Sequence, residues 1–447
     1  MQVTQKINLK RQNRNRMSDA AKFSLEAELI NLNARKVVKR LHESGYEAYL
    51  VGGCVRDLLL GRDPKDFDVS TNAHPEEVRE LFRNSRMVGR RFMIVHVRFG
   101  REIVEVATFR AEHPEETHET YDSSHISEGG MILSDNRYGN FSDDAKRRDF
   151  TINALYYDPD NQEILDPLEG MKDIEQRLIR LIGDPQDRYR EDPVRMLRAL
   201  RFQAKLEFDI EEHSRQAIIE LGYLLQDIPP ARLFEEVLKL FMSGYGKKSF
   251  ACLIAEDTFR WLFPDTHNLL GEHYSRNLIE LALESTDTRI GDGKPVTPAF
   301  IFAALLWAPF LIERQRLIDD EGLTIFDAGV EAANNVVAKQ QLFTSIPKRF
   351  SGPMRDIWFL QFRLPNKTGK KAISVARHKR FRAAYDFLLL RERSGEALDG
   401  LGEFWTQYQI DNPLEVQPHN HRGSPNESAG EQTRPRRRRR KRPGTNP

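Results

Sequence analysis

The chain has 447 residues, and its 68 Lys and Arg against 67 Asp and Glu leave a net charge of +1, which by itself points to no partner. Cys54 and Cys252 stand far apart with no CxxC or Cys/His cluster, which excludes a disulfide framework and a cysteine-type zinc site. The most apolar window, 299–312, is too short to cross a bilayer and contains Pro309, so it is expected to form one buried helix; with no apolar leader core, a cytoplasmic protein without integral membrane segments is expected.

Charge is unevenly placed. Residues 1–16 carry five Lys or Arg and no acid, and residues 434–442, RPRRRRRKR, are basic at every position but Pro435. Such arms add sequence-blind attraction to phosphate backbones. From Lys36 onward, helix-like and strand-like stretches alternate, which predicts an α+β unit. The pattern gives a helix over 37–44, a strand over 48–51, a helix over 55–60, a strand over 67–70 and a helix over 75–81 opened by Pro75. Two β-rich runs, 87–99 and 103–109, meet at Gly100 as a hairpin. Residues 112–140 read as a mobile polar insertion loop, and 151–157 as an apolar run. After Pro167 the chain is expected to be helical to about residue 408, with breaks near Pro185, Pro229 and Pro230, Pro264 and 291–295. Past Pro413 the composition predicts a disordered tail.

The chemistry concentrates in YLVGGCVRDLLLGRDPKDFDVS, residues 49–70. Gly52 and Gly53 end a short strand where the backbone can approach a phosphate closely. Arg56 and Asp57 open the next helix, whose N-terminus favours anions. Asp66 and Asp68, two apart on a strand, would share one face and offer an oxygen-rich ledge to a hard divalent cation. Two-metal nucleotidyl transfer usually needs a third acid, and Glu105 within EIVEVATFR is the candidate, because an unpaired charge among β-branched residues is costly to bury. Glu102, at the turn, would face the other side. In RRDFTINAL, residues 147–155, Arg148, Asp149 and Asn153 supply charge, an acceptor and a two-way amide. In DRYREDPVRMLRALRF, residues 187–202, Asp192 precedes Pro193 as a helix N-cap, and Arg195 and Arg198 form a cationic ridge at i, i+3. An aspartate and an arginine together pair with a nucleobase edge. His96, among apolar neighbours, reads as a packed core histidine.

In their order, LVGGCVRD, DFDVST, EVATFR, RRDFTINAL and REDPVRMLRALRF resemble the bacterial class II nucleotidyltransferases, the family of tRNA CCA-adding enzymes and poly(A) polymerases. The resemblance implies an α+β fold: a polymerase-β-type nucleotidyltransferase head with a mixed sheet, followed by an all-helical neck and body. The expected division is a basic N-terminal arm (1–33), a catalytic head (34–158), a helical neck carrying base recognition and RNA binding (159–245), a helical body (246–410) and a disordered Arg-rich tail (411–447). Asp66, Asp68 and Glu105 would bind Mg²⁺ or Mn²⁺ and act in catalysis with Asp149. Gly52, Gly53, Arg56, Asp57, Arg148 and Asn153 would hold the ribose and triphosphate of ATP, while Asp192, Arg195 and Arg198 would meet the base. Arg434, Arg436, Arg437, Arg438, Arg439, Arg440, Lys441 and Arg442 would bind RNA.

Within the family, MVGRRFMIVHV (87–97), DIPPARLFEEVLKLF (227–241), IPKRF, RDIW and the Arg-rich tail resemble the poly(A) branch, and no HD phosphohydrolase pattern follows. The activity so implied is template-independent transfer of AMP from ATP to RNA 3′ ends with release of pyrophosphate, promoting turnover of mRNA, small regulatory RNA and tRNA precursors. A monomer is expected, with an RNA chaperone or degradation machinery as candidate partners. The rivals are a CCA-adding enzyme, a non-catalytic RNA-binding protein on the same fold and, more distantly, a DxD glycosyltransferase.

Overall fold

The computed structural model describes residues 30–89, 93–111, 137–272 and 274–413. Its N-terminal part is built on seven strands: β1 (Ala48–Val51), β2 (Asp68–Thr71), β3 (Ser85–Val88), β4 (Ile94–Phe99), β5 (Glu102–Thr108), β6 (Tyr156–Asp158) and β7 (Glu163–Leu165). They lie in the order β3-β4-β5-β2-β1-β6-β7, with β2 and β5 parallel and every other neighbouring pair antiparallel. Register and pleat divide the side chains into two faces. Leu50, Val69, Val106 and Val95 stand opposite one another and are buried. They share a core with Val37 and Leu41 of α1 (Leu32–Glu43), Val55 and Leu58 of α2 (Gly53–Leu59) and Val78 of α3 (Pro75–Leu81). The next residue along each strand (Val51, Asp68, Glu105, His96) belongs to the opposite face.

The expected strand over 48–51 and helix over 75–81 form with those bounds. The run 87–99 instead folds as two antiparallel strands, β3 and β4, because the chain reverses after Gly89, whose φ of 102° suits a residue without a side chain. β2 begins at Asp68, so Asp66 lies in the approach to the strand rather than on it. Arg90, Arg91 and Phe92 of the GRRF segment, most of the expected insertion loop, the N-terminal arm up to residue 29 and the tail from 414 lie outside the described residues.

The chain then crosses the open face as α4 (Phe141–Lys146) and a 3₁₀ turn (Thr151–Asn153), and becomes helical: α5 (Gly170–Gln176), α6 (Pro185–Glu191), α7 (Val194–Leu206), α8 (Glu212–Leu221) and α9 (Pro230–Phe241). A small parallel pair, β8 (Leu178–Ile179) with β9 (Asp209–Ile210), interrupts the helices. Two-residue strands leave no periodic trace in a sequence. From α10 (Gly246–Ala255) to α20 (Leu401–Asp411) the described residues are helical, around an aromatic core that includes Phe250, Phe259, Phe302, Phe310 and Trp358. The breaks expected at Pro185, Pro230 and Pro264 are helix starts, with the proline in the first turn.

The window 299–312 is two helices, α14 (Pro298–Leu305) and α15 (Trp307–Glu321), not one. Pro309 has no N–H to give to Leu305, and the Thr266 hydroxyl donates to that carbonyl instead, at 2.8 Å. No helix among the described residues is long and apolar enough to cross a membrane.

Candidate active site

The open face of the sheet carries the predicted acids. Asp68 of β2 stands directly opposite Glu105 of β5, and Glu105 opposite His96 of β4. Asp68 and Glu105 are exposed, while the row behind them is buried. Asp66 is exposed just ahead of the strand and close enough to add its charge to that of Asp68. Partial desolvation by the surrounding protein, then the charge of Glu105, raise the Asp68 carboxyl to about 6; Arg148 opposes this and Asp66 adds to it. Oxygen donors of one sign facing one another fit a hard divalent cation, whose charge would relieve that repulsion. Glu102 faces the other way, as expected, and accepts from Asn31 and Asn33 at the start of α1.

Arg148 lies beside this ledge, over the ring of Tyr156 at 5.1 Å. It donates to the Tyr156 hydroxyl (2.9 Å), Ser70 Oγ (3.1 Å) and Asp144 Oδ2 (2.9 Å). Burial works against its charge, but Asp144 and Tyr156 raise it above the ordinary arginine value, so it stays cationic. Its other arm faces Gly52. A Cβ at Gly52 would sit 3.5 Å from Arg148 Nη1, and φ of +76° there is one that side chains rarely adopt. The Gly52 N–H is engaged with the Leu155 carbonyl at 3.0 Å, so the free backbone of the turn begins at Gly53, where α2 starts.

Arg56 and Asp57, expected at the nucleotide, lie beneath the cradle. Arg56 is 2 % exposed, forks onto Asp57 Oδ1 at 2.8 and 2.6 Å, donates to Asn153 Oδ1, and packs over Phe202. Lys205 of α7 holds the other Asp57 oxygen at 2.8 Å. Asn153 donates to Asp149 at 2.9 Å, and Asp149 accepts from Arg198 of α7. Asp57, Arg56, Asn153, Asp149 and Arg198 therefore form one continuous polar chain joining α2, the 3₁₀ turn and α7. Burial opposes the charge of Asp149, but Arg198, Asn153 and the Phe150 N–H outweigh it and hold the carboxyl down to about 2.

Asp192 closes α6, and its carboxylate accepts from Val194 N at 3.3 Å; α7 starts at Val194, one residue later than expected. Both carboxylate oxygens also accept from Arg232 of α9, at 2.8 Å each. Arg195 donates to the Arg188 carbonyl (2.7 Å) and to Glu191 (2.8 Å). Arg188 shares Glu191 and clamps the carbonyls of Arg147 and Arg148 at 2.7 and 2.8 Å. Burial, then Arg110, Arg188, Arg195 and Arg148, press the Arg147 guanidinium down to about 9. Crowded like charges of this kind mark a place where an anion would be welcome.

Asp144, Tyr156, Arg188, Glu191 and Arg232 went unpredicted. Arg188 and Glu191 lie inside the quoted DRYRED block, and Asp144 and Tyr156 stand four and eight residues from Arg148, so residue types and spacing were a signal; Arg232 meets Asp192 from 40 residues away. A separate acid and histidine group, His42, Asp158 and Asp160, brings one ligand atom from each within 4.8 Å, which is close enough for a metal ion. There Asp158 already accepts from the N–H groups of Asp160 and Asn161 and from the Asn161 side chain.

Comparison with known proteins identifies the relatives. The chain is 49% identical over 392 residues to poly(A) polymerase I of Escherichia coli O6:H1, covering 86% of this chain and 83% of that protein. The chain belongs to the poly(A) polymerase family. The match to the CCA-adding enzyme of Lactobacillus helveticus, 41% identical, spans only 219 residues, which is 49% of this chain and 52% of that protein. Family models agree: the Poly A polymerase head domain matches residues 48–180, the "Probable RNA and SrmB- binding site of polymerase A" residues 207–270, and the Polymerase A arginine-rich C-terminus residues 321–443. Among solved structures, the CCA-adding enzyme of Bacillus stearothermophilus in complex with CTP aligns at a TM-score of 0.58 and 25% identity, covering 86% of this chain and 83% of that one. This is an α+β nucleotidyltransferase and a poly(A) polymerase.

Proposed function

We propose that this enzyme transfers AMP from ATP to the 3′-hydroxyl of RNA on the open face of the head sheet, without a template, releasing pyrophosphate. The observation carrying this is the register of Asp68 against Glu105 beside the arginines around Arg148. Asp66, Asp68 and Glu105 would hold Mg²⁺ or Mn²⁺. The metal would supply Lewis-acid activation of the attacking hydroxyl and charge for the leaving pyrophosphate. Arg148, kept cationic by Asp144, would orient the triphosphate over Gly53, with Arg147 and Arg188 near it. Asp192 would accept from the exocyclic amine of adenine while Arg195 donates to the ring. Arg232 and Glu191 already fix these two side chains, so the base would meet a preset pattern of hydrogen bonds. Asp149 would act with Arg198 as the tie between the cradle and the base-reading helix. The core from Ile30 to Tyr157 supports a head over 34–158; the neck, 159–245, and the body, 246–410, would follow it on a core that they share, with the basic arms 1–33 and 411–447 engaging RNA in the cytoplasm.

The test is release of pyrophosphate from ATP with an RNA primer. It should require a divalent cation, stop on chelation, and fall at least about 10³-fold in Asp68→Ala and Glu105→Gln while thermal melting is unchanged. Activity retained by Asp68→Ala at saturating Mg²⁺ would refute the assignment.

A further inference from the structure

One stretch of the body differs from the rest in its charge. RLPNKTGKKAISVARHKRFR, residues 363–382, holds eight Lys and Arg, and no Asp or Glu occurs from 357 to 385. The stretch leaves α17 (Lys348–Gln361), forms α18 (Gly369–Ala376) and enters α19 (Phe381–Ser394). Ala372, Val375 and Ala376 turn one side of α18 into a small core with Leu364, Phe381 and Trp405. Helical spacing sends Lys370, Lys371 and Ser374 to the other side, and all three are exposed. Arg363 donates to Ser374 Oγ at 3.1 Å, which joins the end of α17 to that row. Burial holds the His378 imidazole below the ordinary histidine value; Asp356 opposes this, while Arg363, Lys379 and Arg380 add to it, so these cations gather at one ring.

Elsewhere in the body exposed lysines sit on carboxylates: Lys247 on Glu284 at 3.3 Å, Lys294 on Asp292 at 2.9 Å and Lys339 on Asp265 at 2.7 Å. Among the described residues Lys370, Lys371 and Lys379 have no such partner. The first two stand in the first turn of α18, which holds no acid, so the helix macrodipole adds to their repulsion. We infer that this surface is a phosphate track for single-stranded RNA, in addition to the arms of the chain. What the surface lacks sets the occupant as much as its charge does. A face that docks on lipid or on protein adds large apolar groups to its cations, and among the described residues no exposed large apolar side chain lies between 343 and 409. Phosphate contacts need only charge and short polar donors, which these lysines and Ser374 supply. Because the core holds α18 in place, binding has little backbone left to order. The inference rests on the reading of RNA as the substrate.

The test is binding of a long, fluorescein-labelled single-stranded RNA to the full-length protein without ATP, read as anisotropy across a salt series. Lys370→Gln, Lys371→Gln and Lys379→Gln together should weaken binding at least about 10-fold at about 50 mM salt and lower the logarithmic salt slope by about 2. Lys370→Arg, Lys371→Arg and Lys379→Arg together should behave like the unaltered protein. An equal loss of charge where lysines are already paired, Lys247→Gln with Lys294→Gln and Lys339→Gln, should leave the slope as it is. An unchanged slope in the first variant, or an equal fall in both glutamine variants, overturns the track. So does loss of binding to phosphatidylglycerol vesicles with no change toward RNA, which would make this a lipid-facing surface. If the unaltered protein binds no RNA at any salt concentration, the reading of RNA as substrate fails and takes this inference with it.

Discussion

Asp68 and Asp149 show how two carboxylates in one site come to opposite ends of the titration scale. Asp68, partly desolvated by the surrounding protein and faced by Glu105, is raised to about 6. Above that pH it is ionised and repelled by its neighbours; as pH falls through it, a proton takes the place a cation would hold. Activity at limiting Mg²⁺ should therefore decline below about pH 6, and saturating Mg²⁺ should move the decline to lower pH, as rate profiles at two Mg²⁺ concentrations would show. A decline that ignores Mg²⁺ would contradict the account. Asp149 is the reverse case, held down to about 2 by Arg198 and Asn153 against the effect of burial. Its folded value lies below its unfolded one, so its contribution to stability is present above about pH 4 and is lost as pH falls toward 2. Arg198→Ala leaves that buried charge unpaired and should lower the unfolding free energy by about 3–5 kcal/mol at neutral pH. Adding Asp149→Asn should recover part of it in urea denaturation; a loss that is simply additive would mean the pair is not coupled.

At the scale of elements, the turn from β1 into α2 decides what can approach Arg148. Gly52→Ala meets no clash, since the nearest atoms lie at 3.5 Å, but it forces a side chain into a φ of +76°. It should lower stability by about 1–3 kcal/mol and raise the KM for ATP. Unchanged melting and KM would show that the turn is not a cradle. The same elements show what a sequence reveals. β1, with its buried Leu50 and Val51 bounded by glycines, and α3, opened by Pro75, were legible because their signals are local. So were the facing sides of Glu102 and Glu105, which follow from strand alternation alone. That Glu105 stands against Asp68 was not legible, because the pairing of β2 with β5 joins segments separated by β3 and β4. Nor was the role of Arg56: beside a glycine turn it reads as a phosphate ligand, yet the fold buries it between Asp57, Asn153 and Phe202. Arg232 lies 40 residues from Asp192, and only the packing of α9 brings them together.

For the whole molecule, the acids and arginines occupy one face of the head, while the strongest run of positive charge, 434–442, lies at the far end of the chain and outside the described residues. Removing 434–442 should weaken binding to RNA and flatten its dependence on salt, by about 0.7 in the logarithmic slope for each phosphate no longer neutralised, while sparing turnover at saturating primer. An unchanged slope would assign the run to another purpose. The central claim is that this fold extends RNA with adenylate alone. The most direct measurement is primer extension with Mg²⁺, offering each nucleoside triphosphate separately to a generic RNA and to a tRNA lacking its CCA end. The account predicts a long ladder on the generic RNA with ATP only; addition confined to the tRNA, requiring CTP and stopping at completion, would contradict it.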